Sequence, residues 1–324
     1  MPQARGANTI MGYQTEATFA TDPGGPDLTK LYFISESLRL ERPNIYSNIL
    51  QSSRNPSVPN RGNHNVTGSI NTTLQAYIGG LLKAALGSLS TAGGPAYTHT
   101  LKVGTSVPSV LIEKGFTDIT TPQYFKYNGC KVNRMSIKVR PESAQEISFD
   151  FIGAKETVGT ATFDATPTDL TKIEFQGFQI ATITEGGSAI AIVTEADINL
   201  ENNLDGGVYT INTTTPGVRR SLPEGMVKVS GTLKALFEDI TLYTKATAGT
   251  ESALVVTYTI GTGAGSAGNE QLTITVPELL FTPNAPVISG PAGILLELPY
   301  EAYYTNDAAA SAIHMSLKSP TATF

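Results

Sequence analysis

One short pattern occurs twice in this chain, about half a chain length apart, and it constrains the fold more than any other feature. Leu38-Arg39-Leu40-Glu41 recurs as Ile198-Asn199-Leu200-Glu201, and Val66-Thr67-Gly68-Ser69-Ile70 recurs as Val229-Ser230-Gly231-Thr232-Leu233. The offsets are 160 and 163 residues, so the two pairs nearly agree. A fixed spacing of this kind marks a supersecondary unit used twice. Each copy holds a long polar excursion between its paired segments, over residues 42–65 and 202–225. The order of later segments also repeats, although identity between the halves is low. The competing reading is two unrelated β domains with similar turn spacing.

Both copies have the period of strands. Leu38 and Leu40, Val66 and Ile70, Met135, Ile137 and Val139, and Ile147, Phe149 and Phe151 each alternate with polar residues. An antiparallel sheet with one solvated face requires this alternation. One helix stands out, over residues 74–86. There Leu74, Tyr77, Ile78, Leu81, Leu82, Ala85 and Leu86 follow helical spacing and Gly87 sits where a C-cap belongs. A shorter helix is expected near Phe237–Tyr243 in the second copy. The expected fold is mainly β (α+β): two tandem β-sandwich or half-barrel modules, each with one flanking helix, related by internal duplication.

The expected boundaries follow from composition. Residues 1–28 read as an N-terminal arm, with Asp22-Pro23-Gly24-Gly25-Pro26 as a breaker. Residues 29–155 form the first module, 156–172 a linker and 173–324 the second module. The second module opens on a hairpin whose strands flank Glu185-Gly186-Gly187-Ser188.

Composition narrows the function. Charged residues make up 15% of the 324, below the usual ~25%. The net charge is −6, against a protein that grips nucleic acid through phosphates but not against one that surrounds DNA without holding it. The single Cys130 excludes an intramolecular disulfide and implies no oxidising compartment. No run of ~18 apolar residues occurs, and Met1-Pro2-Gln3-Ala4-Arg5-Gly6 lacks signal-peptide character. The expected site of synthesis is the cytoplasm.

Catalytic and metal chemistry find little support. His64, His99 and His314 are far apart in sequence and from Cys130, so there is no zinc pattern. Gly261-Thr262-Gly263-Ala264-Gly265 lacks the lysine of a phosphate-binding loop and reads as a hairpin tip. Glu146 and Asp150, and Glu297 and Glu301, are carboxylate pairs at strand spacing, which places them on solvated polar faces rather than in a site that raises a pKa. Cys130 reads as a buried small residue. Arg54, Arg61, Arg219 and Arg220 lie beside prolines in the two excursions, which suits loops ordered by a protein partner better than DNA contacts. No cofactor and no metal is expected.

Three stretches carry a resemblance. They are Met11-Gly12-Tyr13-Gln14-Thr15-Glu16-Ala17-Thr18-Phe19-Ala20-Thr21, then Ser35-Glu36-Ser37-Leu38-Arg39-Leu40-Glu41-Arg42 with Ser53-Arg54 and Arg61-Gly62, then Val276-Pro277-Glu278-Leu279-Leu280-Phe281 with Gly293-Ile294-Leu295-Leu296-Glu297-Leu298-Pro299-Tyr300-Glu301-Ala302-Tyr303-Tyr304. In this order the chain resembles the tail tube (major tail) proteins of long-tailed bacteriophages, and is similar to those of flagellum-targeting siphophages.

The resemblance implies a structural virion protein and no enzyme. Such subunits join sheets edge to edge in stacked rings, forming the tail tube through which DNA is ejected. Implied partners are further copies of the chain, other tail proteins, a tape-measure protein and double-stranded DNA in the lumen, with assembly in the host cytoplasm. Two modules per chain leave two stoichiometries open: three chains with pseudo-sixfold symmetry, or six chains with one module in the wall. Inter-subunit contacts are expected from the excursions, at Arg42, Arg54, Arg61, Arg219, Arg220 and Glu224. Acidic lumen candidates are Glu41, Glu195, Asp197, Glu201, Glu146 and Asp150, with Lys228 and Lys234 diluting the negative face. Two alternatives belong to other classes. One is a monomeric β-sandwich that binds a surface protein or carbohydrate, using Tyr300, Tyr303 and Tyr304. The other is a hydrolase with a site between modules.

Overall fold

The computed structural model describes residues 3–170, 172–211, 214–288 and 290–324. The N-terminal reading at Met1 and Pro2, the linker residue Thr171 and the middle of the second excursion at Asn212 and Thr213 lie outside the described residues. Strands take 45% of the chain and helices 7%, so the fold is mainly β.

A single antiparallel sheet runs through both halves. In chain order its strands are β1 (Ser35–Glu36), β2 (Arg39–Glu41), β3 (Asn65–Thr73), β4 (Gln123–Val139), β5 (Glu146–Gly153), β6 (Val193–Glu201), β7 (Lys228–Leu236), β8 (Gln271–Phe281) and β9 (Leu295–Ala302). Across the sheet, β1 and β2 share one edge and pair with β3, followed by β5, β4, β6, β7, β9 and β8. The first half therefore supplies β2–β3–β5–β4 and the second half β6–β7–β9–β8, in the same order. The halves meet where β4 pairs with β6, Arg134 opposite Glu201 through Val139 opposite Ala196.

The repeated glycine has a steric reason in each half. Gly231 lies opposite Ile198 on β6 and Tyr300 on β9. A Cβ there would sit 1.9 Å from the Asp197 carbonyl oxygen and 2.5 Å from the Tyr300 hydroxyl, which itself donates to that carbonyl at 3.0 Å. Gly68 on β3 faces the step between β1 and β2, where a Cβ would lie 2.5 Å from the Ser37 carbonyl oxygen and 2.6 Å from Leu38 N. In both places a neighbouring backbone fills the space a side chain needs.

Two long strands leave the central sheet for outer layers. The first part of β4 pairs with Val110–Phe116, which pairs in turn with Thr9–Thr15. The first part of β8 pairs with Ser252–Thr259 and His314–Ser319. Helix α1 (Gly79–Leu86) buries every residue but Lys83. Gly87, at φ 93°, caps it by donating its N–H to the Lys83 carbonyl, the left-handed cap expected from sequence. Side chains on the inner face of the central sheet, among them Ile70, Phe149, Ile137, Ile198, Leu233 and Leu298, join α1 and the outer strands in one core spanning both halves. The second helix, α2 (Thr241–Ala248), is shorter in its apolar stretch and buries only Leu242 and Ala246.

Several expectations change. Residues 9–15 are no free arm: they form a strand, with Met11 and Tyr13 buried. Glu16 anchors the end of that strand, accepting from Ser109 Oγ at 2.7 Å and Gly129 N at 2.9 Å. Helix α1 starts at Gly79 rather than Leu74, whose N–H donates instead to the Gln145 carbonyl at 2.6 Å. Helix α2 begins at Thr241, four residues after Phe237. Part of the 156–172 linker is a strand, Lys155–Gly159, on the outer side of β4. A hairpin of Gly87–Ala92 and Tyr97–Val103 crosses to the second half, where Leu101 lies opposite Met315.

Candidate functional site, an open sheet with a charged face

A strand face that alternates polar residues over eight strands becomes a surface of cross-strand pairs. All six acidic candidates carry their side chains on the solvent face of the central sheet. On that face eight carboxylates (Glu41, Glu146, Asp150, Glu195, Asp197, Glu201, Glu297 and Glu301) meet six bases (Arg39, Arg134, Lys138, Arg140, Lys228 and Lys234). The signs alternate along rows. One row runs Asp150, Arg134, Glu201, Lys228, with Arg134 Nε 3.8 Å from Glu201. Another runs Glu146, Lys138, Asp197. At the far end Glu195 is paired with Arg140 and, at 3.4 Å, with Lys234, which is 3.8 Å from Glu297. Lys228 reaches Glu301 at 2.9 Å and Arg39 reaches Glu41 at 2.8 Å. The face is a mixed lattice with a small acidic excess, and its bases are more numerous than Lys228 and Lys234 alone.

Two carboxyls in the lattice sit above their ordinary range. Burial raises Asp150, against the pull of Arg134. Burial and then the neighbouring Glu195 raise Asp197, against Arg140, Lys234 and Lys138. Asp197 Oδ1 is buried and has no hydrogen-bond partner among the described residues. A carboxyl whose pKa rises on folding holds its proton more tightly in the folded chain. It therefore opposes folding once ionised and stops doing so as pH falls below the carboxylate range. Asp197→Asn should raise the thermal midpoint at pH 7 and leave it unchanged near pH 3, a difference that parallel melting curves measure.

The loop candidates divide into three groups. Arg54 and Arg220 are exposed. Arg42 Nε donates to the Gly62 carbonyl at 3.1 Å and Arg61 donates to Asn44 Oδ1 at 3.1 Å, so both brace the base of the first excursion. Arg219 and Glu224 are engaged inside the chain and correct the expectation of free loop contacts. Arg219 is buried, donates to the Gly206 carbonyl at 2.7 Å, bonds Gly153 O and Asn65 Oδ1, and lies 5.5 Å from the Tyr209 ring. Glu224 accepts from Lys131 Nζ at 2.6 Å and Val107 N at 2.9 Å. A buried guanidinium needs several fixed acceptors, and these come from residues too distant in sequence to signal it.

Both edges of the central sheet are open among the described residues. On one side β1 and β2 pair only with β3. On the other side the last residues of β8, Leu279–Phe281, pair with β9; Leu279 is also paired with Ser252, so the open part is Leu280–Phe281 and the chain running on into Thr282, whose N–H donates to the Pro299 carbonyl at 2.7 Å. Unpaired edges are templates for another strand. Among the described residues no group of three or more His, Cys, Asp or Glu converges as a metal site would require.

The model of the phage tail tube protein family matches residues 6–302. The chain belongs to that family. It is a structural protein of the phage tail, and the mainly β fold accords with that role. No curated protein matches the chain in sequence comparison. No helix of this tail tube protein, among its described residues, is long and apolar enough to cross a membrane.

Proposed function

We propose that the tail tube protein closes its central sheet into a ring by pairing the β8 edge of one chain with the β1–β2 edge of the next. The ring is a trimer, its two halves being copies of one unit. The observation that carries this reading is the junction already made inside the chain. There the last strand of the first half, β4, pairs with the first strand of the second half, β6. The free edges, β8 and β2, are the corresponding last and first strands. Three chains place six units around the bore, so every lateral contact repeats one geometry, as closed symmetry requires.

The equivalences also supply a register. Gly68 and Gly231 align β3 with β7, and through them Phe151 with Tyr300 and Leu38 with Ile198. Phe151 lies opposite Val132, Tyr300 opposite Phe281, and Asp150 opposite Arg134. Thr282, bonded to Pro299, then corresponds to Arg134, and Glu41 to Glu201. Carrying over the internal junction sets Thr282 of one chain opposite Glu41 of the next, and Asn284 opposite Arg39.

In this reading the charged face lines the bore. Its paired carboxylates and bases leave a small negative excess, so phosphates meet no continuous basic track and DNA slides while hydrated. A tape-measure protein and duplex DNA occupy the lumen without sequence-specific contacts.

A chain with Arg39→Cys and Asn284→Cys tests the arrangement. Directly opposed residues in an antiparallel pair lie at disulfide distance, and the native Cys130 is buried. Oxidised assemblies should give a denaturing-gel ladder that stops at three chains. A ladder continuing to six would replace the trimer with a hexamer, and no ladder from assembled tubes would remove the edge pairing.

A further inference from the structure

The open first edge of the sheet borders a groove of 830 Å³ lined by Ala7, Ile10, Tyr32, Phe33, Ile34 and Phe116. Ile34, just before β1, is 58% exposed, and Ile10, in the strand Thr9–Thr15, is 42% exposed. The opposite open edge ends in the segment 282–294, which carries Val287 at 74% and Ile288 at 77% exposure. A groove with several apolar residues in its lining, and an adjacent apolar pair at the opposite edge, are contiguous enough to be candidate contacts.

The internal junction indicates what each feature is for. There the turn after β4 meets the segment that leads into β6. Gly177 donates its N–H to the Ser143 carbonyl at 2.9 Å, and Gln145 donates to the Phe175 carbonyl at 2.9 Å. Phe175 is wholly buried with its ring centre 5.6 Å from that of Tyr258. A Cβ on Gly177 would lie 2.3 Å from the Pro141 carbonyl oxygen, so the contact is close. The counterparts at the outer edges are the segment after β8 and the segment before β1, which among the described residues do not bond to each other within one chain.

We infer that Val287 of one chain seats in the groove beside Phe33 and Ile34 of a second copy, with Ile288 over its rim at Ser35, forming the apolar lock of the lateral interface. This rests on the edge-to-edge reading of the ring and adds to it a specific knob and its socket. Continuing the transferred register places Ile288 opposite Ser35 and Val287 opposite Glu36, so alternation turns Val287 to the face of Glu36 and Ile34, where the groove lies. The connection after β8 has thirteen residues, where the one after β4 has six. The added length reaches across the boundary, whereas at the internal junction the covalent chain already holds the two halves together. Burying these two aliphatic side chains removes apolar surface from water and favours the contact over the cost of ordering the segment.

Two full-length variants test the lock. With Ser35→Cys and Ile288→Cys, oxidised tubes should show chain-to-chain disulfides that dilute free chains lack. With Val287→Asp and Ile288→Asp, the melting curve should match wild type, since both sites are exposed in the single chain, while the concentration needed for tubes rises at least about tenfold. If Arg39→Cys/Asn284→Cys tubes cross-link but Ser35→Cys/Ile288→Cys tubes do not, and the aspartate variant assembles normally, the lock is wrong and the edge pairing stands. If neither cysteine pair links assembled tubes, both the lock and the edge-to-edge reading fall.

Discussion

Gly231→Ala should cost the folded chain at least about 3 kcal/mol, the range of severe core lesions, and abolish tubes. The added methyl would stand 1.9 Å from a backbone oxygen on β6, and backbone cannot swing aside as a flexible side chain does. Relieving the clash means separating β7 from β6, which breaks the Tyr300 hydroxyl bond to the Asp197 carbonyl and opens the sheet beside the junction between halves. Gly68→Ala should act in the same direction in the first half, where Ser37 and Leu38 crowd the position. Gly94→Ala is the control, because nothing lies within 4 Å of its added carbon, and its effect should stay within about 0.5 kcal/mol. Guanidinium unfolding monitored by far-ultraviolet dichroism measures all three. An unperturbed Gly231→Ala chain would remove the steric reason for the repeated glycine.

Tubes carrying Glu41→Lys, Glu146→Lys and Glu301→Lys should retain duplex DNA that wild-type tubes release. The three sites are exposed and make at most surface ion pairs, as with Arg39 and Lys228, so the fold should lose little. The balance on the face changes from eight acids against six bases to five against nine. Each new lysine can neutralise a phosphate and release counterions, so retention should rise at least roughly tenfold at low salt and disappear at high salt. Co-sedimentation of labelled duplex with tubes across a salt series provides the readout. Equal retention by variant and wild-type tubes would place these carboxylates outside the bore.

Much of the central sheet was legible in the sequence because its strands bury one face only. Period two marks such strands directly, and Gly68 and Gly231 mark the same close approach in each half. The strand at Thr9–Thr15 was not legible. Met11, Gly12 and Tyr13 are buried in succession, so its pattern carries no alternation. The hairpin of Gly87–Ala92 and Tyr97–Val103 was missed for another reason. Its residues are mostly small and polar, and its place depends on His314–Ser319, more than two hundred residues away. At the candidate site, the polar face announced its carboxylates. Their neutralisation did not show, because Arg134, Lys138 and Arg140 become neighbours of Glu201, Asp197 and Glu195 only when β4 pairs with β6. Arg219 looked like a mobile loop residue beside a proline, while its acceptors at Gly153 and Asn65 lie far along the chain.

Electron microscopy of the purified chain over a concentration series tests the completion of the open edges most directly. Hollow filaments about 90–100 Å wide, the girth that ~24 wall strands and their loops require, should form, and end-on averages should resolve three chains per ring. Chains that stay single at every concentration, even when seeded with preformed tails, would contradict the account.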